Sequence, residues 1–170
     1  SWWGNLITCK TFNDIWLNEG FARYCQALWV ENIDGKQAYF NFMNDHAYYG
    51  GGTIYVENPS SNSQIFNSSL SYNKASWVLH MLRHKVGDEM FFEILKEYAS
   101  NDSLAYNAAS TADFQKVCED ISGMDFEQFF QQWIYGDRYP KYELSWWSDE
   151  NDIYKVKIDQ IQSYGIFSMP

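Results

Sequence analysis

The chain has 170 residues, 46% of them hydrophobic, and a formal net charge of -10 at pH 7, so it carries enough apolar material for one packed domain or a piece of a larger one. The acidic balance excludes partners that reward clusters of Lys and Arg, and neither nucleic acid nor an anionic membrane surface is expected. No apolar run approaches the roughly 20 residues that span a bilayer, and Ser1-Trp2-Trp3 lacks both regions of a signal peptide, which leaves the compartment unknown.

Residues Trp2 to Thr11 read as an irregular aromatic lead-in to a first helix. Thr11 and Asp14 have the spacing of a capping-box start. Ile15, Trp16, Phe21, Tyr24, Cys25, Leu28 and Trp29 then recur at helical spacing with one wide apolar face. Glu19 falls near the middle of this helix, where a buried carboxylate needs a partner, a proton or a metal. On residue chemistry alone, pairing with an Arg or with backbone donors is commoner than metal binding.

A second helix is expected from Gly35 to Tyr49, stopped by Gly50-Gly51-Gly52. The Ser- and Asn-rich stretch from Thr53 to Ser71 reads as a long surface loop with one short strand at Thr53 to Val56, and a loop of that length usually serves a site or a lid. The third helix runs from Tyr72 to Lys85, with Trp77, Val78, Met81 and Leu82 as its apolar face and Gly87 as its stop. Asp88 is the N-cap expected for a fourth helix through Phe91, Phe92, Leu95 and Tyr98. Ser110 or Thr111 opens a fifth through Phe114, Val117, Cys118 and Ile121. Asp125 and Gln128 form another capping-box pattern ahead of Phe126, Phe129, Phe130, Trp133 and Ile134.

After Tyr139-Pro140 the period becomes two. Tyr142, Leu144 and Trp146, a polar turn from Ser148 to Asp152, then Tyr154, Val156 and Ile158 predict two antiparallel strands, and Ile166 to Pro170 reads as a further extended piece. A lone hairpin is marginal in water, so it packs on the helices or opens a β domain. Cys9, Cys25 and Cys118 have no disulfide spacing and read as small buried hydrophobes. His80 and His84 stand at i and i+4 but enclose Met81-Leu82-Arg83, with no Glu between them, and read as surface or helix-end residues, as does His46. An aromatic carbohydrate-binding module would set Trp side chains along a strand, and only Trp146 and Trp147 lie on one.

Trp2-Trp3-Gly4-Asn5-Leu6 followed by Trp16-Leu17-Asn18-Glu19-Gly20-Phe21-Ala22 resembles the segment after the zinc-binding helix of the M1 family of zinc aminopeptidases, the gluzincins. The resemblance implies that Glu19 is the third zinc ligand, beside two His of an HExxH helix. Counting back from Glu19 by the family spacing puts the second of those His immediately before Ser1, so both His and the general-base Glu are missing here. Ser71-Tyr72-Asn73-Lys74-Ala75 resembles the family's Tyr-x-Lys segment and implies that Tyr72 donates a hydrogen bond to the oxyanion of the tetrahedral intermediate. Gln131-Gln132-Trp133-Ile134-Tyr135-Gly136 with Tyr139-Pro140-Lys141 resembles the passage from the family's helical region into a β-sandwich domain. The family's amine-binding Gly-x-Met-Glu-Asn motif is absent.

The resemblance implies a mainly α fold: the helical C-terminal half of a thermolysin-like catalytic domain over 1–138, then β-strands over 139–170 that start a following domain. The expected function is that of a fragment of a zinc metallopeptidase, which removes N-terminal residues from peptides by zinc-activated water. The chain alone, with one zinc ligand of three, is expected to bind zinc weakly or not at all, to be inactive, and to self-associate through apolar surface left uncovered. The alternative is a non-catalytic helical scaffold.

Overall fold

The computed structural model describes residues 2–149 and 153–169. A short strand, β1 (Ile7–Cys9), and a 3-10 turn (Phe12–Asp14) lead into α1 (Trp16–Asp34), which Gly35 separates from α2 (Lys36–Asp45). A four-residue turn of helix, α3 (Asn62–Ile65), precedes a π-helical segment, Ser68–Lys74, which runs straight into α4 (Ala75–Val86). Next come α5 (Asp88–Ser100), β2 (Asn107–Ala109), α6 (Thr111–Ser122), α7 (Glu127–Phe130), a second π segment (Gln131–Tyr135), and the strands β3 (Tyr142–Ser148) and β4 (Tyr154–Gln160).

The core is aromatic, and α1 runs through it. Phe21 meets Trp3, Trp16, Tyr98 and Phe114 at ring-centre distances of 4.7, 5.9, 5.5 and 5.1 Å. Contacts of this kind are worth about 0.5–1.5 kcal/mol each beyond the area they bury. The lead-in is more regular than its sequence suggests, because β1 pairs in parallel with β2, Ile7 opposite Asn107. That pairing spans most of the helical region and has no local sequence signal.

Asp14 does not form the expected capping box. Its buried carboxylate is taken by Thr111, whose backbone N–H and hydroxyl both donate to Oδ1, at 2.9 and 2.8 Å. Thr111 Oγ1 in turn accepts from Trp16 Nε1 at 2.9 Å. The start of α1 is therefore tied to the start of α6, where Ser110 and Asp113 do form a capping box. Asp88 is not a cap either: Arg83 donates to both of its carboxylate oxygens, at 2.8 and 2.9 Å, drawing that side chain away from the helix end. Asp125 accepts from the Glu127 N–H at 2.8 Å, and α7 is left without a capping side chain at Phe126.

The Thr53–Val56 stretch forms no strand. The N–H groups of Ile54 and Tyr55 donate to Ile134 O, and Val56 N–H donates to Asn13 O, so the segment lies against a helix end and α1's lead-in. The third helix begins earlier than expected, at Ser68, because the Asn67 side chain accepts from the N–H groups of Ser69 and Leu70. Toward the end of α1, Trp29 is exposed and Leu28 only half-buried, so the apolar face narrows away from Glu19. Cys118 is buried, whereas Cys9 and Cys25 are half-buried free thiols.

The two expected antiparallel strands pair as a hairpin, with Leu144 opposite Ile158 and Trp146 opposite Val156. Residues 150–152 of its expected turn lie outside the described residues, as does Pro170. Both strands are exposed along nearly their whole length. Beyond β4 the described residues form no further strand: Phe167 turns back to pack on Trp133 at 5.3 Å, and Ser168 N–H donates to Gln132 Oε1.

Tyr24, Tyr39 and His80 join α1, α2 and α4 in one chain of hydrogen bonds, 2.9 Å between the two hydroxyls and 2.6 Å from Tyr39 to His80 Nδ1. With Tyr39 donating, His80 is neutral at Nδ1. Burial and then the positive charges of Arg83 and His84 push the His80 pKa below its ordinary 6.5, against the opposing pull of Glu31. Lys36 and Asp88 line the same cleft. The unfolded chain therefore takes up a proton that the folded chain refuses, and stability falls as pH drops below about 6.5. The difference in denaturant midpoint between wild type and His80→Gln should shrink between pH 7 and pH 5.5, and a pH-independent difference would refute this account.

Candidate functional site

Glu19 lies in the first turn of α1 and is half-buried, not at the middle of a buried helix as its apolar surroundings suggest. The 3-10 turn over Phe12–Asp14 uses up the preceding residues, so α1 starts only at Trp16. Its neighbour Asn18 fixes this end of the helix, its Oδ1 accepting the Cys9 N–H of β1 at 2.9 Å.

Gly20 sets what Glu19 can face. A Cβ built on Gly20 would lie 2.5 Å from the Ala75 Cβ and 3.4 Å from Ser71 O, so only glycine lets α1 come this close to the π segment and α4. The opposite wall is held as firmly. Ser71 Oγ donates to Ile65 O at 2.8 Å, and the buried Lys74 ammonium donates to Gly52 O at 2.7 Å and Gly136 O at 3.4 Å. Burial lowers the Lys74 pKa to about 8, with Asp137 pulling the other way. Ser71 and Lys74 thus point inward, and the π turn leaves Tyr72 half-exposed on the side of Glu19. Segments of π-helix often mark functional positions.

The structure brings the two residues singled out in separate motifs near each other, so that the Glu19 charge acts on the Tyr72 hydroxyl. Burial, then the Glu19 carboxylate, raise the Tyr72 pKa, and the Arg23 guanidinium opposes them. The phenol is consequently held protonated, as a donor. Among the described residues no group of three or more His, Cys, Asp or Glu is placed to hold a metal ion. Glu19 offers one carboxylate, which does not make a zinc site by itself.

The histidines stand apart from this pair. His84 is exposed, and His80 is bonded to Tyr39 in a separate cleft, more buried than a surface reading allows. His46 stacks on Phe42 and bonds to Arg23. Sequence reasoning passed over Arg23, although its position four residues after Glu19 places both on one face of α1. It also passed over the anchoring by Lys74, which has no local sequence signal, since its acceptors lie 22 and 62 residues away.

The fold defines the class: the helical C-terminal half of a thermolysin-like metallopeptidase catalytic domain, followed by antiparallel strands. It matches the aminopeptidase A of Legionella pneumophila over 94% of this chain and 18% of that one, with a TM-score of 0.77 at 16% identity. Residues 1–133 match the Peptidase family M1 domain. The chain belongs to peptidase family M1, a family of zinc aminopeptidases. It is 31% identical to aminopeptidase N of Lactococcus lactis over 82% of its own length and 18% of that protein. To the tricorn protease-interacting factor F2 of Thermoplasma acidophilum it is 29% identical, again over 82% of this chain and 19% of the relative. An M1 zinc metallopeptidase of Deinococcus radiodurans has a TM-score of 0.69 and 26% identity over 82% of this chain and 31% of that one. The chain thus spans about a fifth of the length of these curated relatives.

Gly20→Ala should destabilise the chain by about 1–3 kcal/mol through overpacking, although alanine is the better helix former. Adding Ala75→Gly should recover part of the loss. Denaturant midpoints decide this, and a Gly20→Ala variant as stable as wild type would show that the close approach is dispensable.

Proposed function

We propose that this chain is the part of an M1 aminopeptidase that supplies Glu19 as one ligand of a catalytic zinc ion and Tyr72 as the donor to the oxyanion. The observation that carries this reading is the close approach of α1 to the π segment and α4 at Gly20, which sets the Glu19 charge near the Tyr72 hydroxyl, two residues from separate motifs on separate elements. The other zinc ligands and the general base come from outside the chain, and the ion, when bound, supplies activated water for hydrolysis of the N-terminal peptide bond. The peptide is the substrate. Tyr72, fixed by the π turn and Lys74, is preorganised toward the carbonyl oxygen as negative charge develops there, and such a donor contributes on the order of 3 kcal/mol to the barrier.

In the full-length protein, Tyr72→Phe should lower kcat by about two to three orders of magnitude and leave zinc content unchanged, whereas Glu19→Gln should lower zinc content itself. The chain alone is non-catalytic, since a single carboxylate is too few donors for a zinc site. Stoichiometric zinc after dialysis, together with peptide turnover by the chain alone, would overturn that part of the reading.

Residues 139–170 are read as the start of a following β domain. This is supported by the hairpin face formed by Leu144, Trp146, Val156 and Ile158, which are 56, 72, 63 and 60% exposed. The opposite face carries Glu143, Lys157 and Asp159, the last two ion-paired. In the chain alone the apolar face is left to a second copy. Light scattering should show concentration-dependent association that Trp146→Ser weakens, and a monomer at high concentration would count against it.

A further inference from the structure

Two arginines of this chain are substantially buried, and they differ in what closes them. Arg83 is gripped by Glu31 at 2.6 Å and by Asp88 at 2.8 Å. Arg23, on α1, is half-buried and pairs with no carboxylate among the described residues. Its partners are neutral: Nη1 lies 3.2 Å from Gln26 Oε1 and 3.2 Å from His46 Nε2. His46 Nδ1 must carry a proton, because it bonds to the Phe42 carbonyl at 2.7 Å, so Nε2 is the acceptor for Arg23. The guanidinium is thereby fixed through one nitrogen, and its Nε is buried with no hydrogen-bond partner.

A half-buried cation held only by neutral acceptors is poorly compensated, and a buried donor left unpaired normally has a ligand or water to meet it. The lack of a carboxylate is notable in a chain with 22 acidic residues against 12 basic ones. The under-compensated guanidinium also has a definite place. Arg23 stands one turn beyond Glu19 on α1, and its charge acts on the Tyr72 hydroxyl. A guanidinium held only by neutral groups is matched by a carboxylate through a charge-assisted hydrogen bond.

We infer that Arg23 binds a carboxylate of the bound peptide beside Tyr72, and so gives the enzyme a preference for peptides that carry a negative charge near the scissile bond. The inference rests on the site reading given above. Arg23 is here a specificity-determining residue; His46 and Gln26 are positioning residues that hold its other edge.

The test uses the full-length zinc-loaded protein and matched peptides: Asp against Asn as the first residue, Asp against Asn as the second, and a free C-terminal acid against its amide. At least one pair should favour the charged member in kcat/KM by about tenfold, the size of one charge-assisted bond, and the pair that responds identifies which carboxylate is bound. Arg23→Met should bring that ratio close to one, mainly through KM. Arg23→Lys should keep part of it, and Arg23→Glu should favour Lys over Gln at the same position. Circular dichroism melts establish that the variants are folded, and Arg23→Gln replaces any that is not. Cleavage of the neutral peptides with charge ratios near one in wild type, or ratios that Arg23→Met leaves unmoved, overturns the inference alone. A protein that cleaves none of the peptides overturns the site reading together with it.

Discussion

The closeness of α1 to the π segment and α4 at Gly20 is the constraint on which the site depends. With no side chain there, the two elements meet at Ala75 and at the Ser71 carbonyl, and the residues flanking that contact, Glu19 and Tyr72, are brought near each other. A larger residue would force the helices apart and carry Tyr72 away from Glu19. The π turn does the complementary work on the other wall. Its wider winding lets Ser71 and Lys74 turn inward to fixed carbonyls while Tyr72 stays at the surface of the site.

Long-range polar ties hold this geometry inside an aromatic core. Asp14 and Thr111 are 97 residues apart, yet the two bonds between them fix where α1 begins, which sets the position of Glu19 one turn later. Thr111 in turn closes the buried Trp16 indole, so the tie also orients a ring that packs against Phe21 and Phe114. Buried donors and acceptors are costly when unpaired, and the chain meets that cost with partners distant in sequence. The pattern breaks at Arg23, Asn73, Tyr98 and Trp133, each with a buried polar atom left without a partner among the described residues.

The hairpin follows a different logic. The period of two separates a mainly apolar face from a mainly charged one that also carries Trp147, but the hairpin contributes little to the core, and among the described residues beyond 140 it is Phe167 that is buried against the helical body. An amphipathic sheet is stable only when its apolar face is covered, and among the described residues this face is exposed. The helical body, by contrast, already closes around its own core.

The order of the longer helices and the antiparallel hairpin were legible in the sequence, which also nominated Glu19 and Tyr72 as candidate site residues. They rest on local signals: spacing at 3.6 or 2 residues, Gly stops at Gly35 and Gly87, and the motifs around Glu19 and Tyr72. Capping was legible only where both partners are local, as at Ser110 and Asp113. It failed at Asp14 and Asp88, whose carboxylates were claimed by Thr111 and Arg83. The pairing of β1 with β2, the missing Thr53–Val56 strand, the half-burial of Glu19 and the neutral partners of Arg23 were decided by tertiary structure alone. In each, the deciding partner is far away in the chain, and a carboxylate or an N–H goes to whichever group the folded packing leaves within reach.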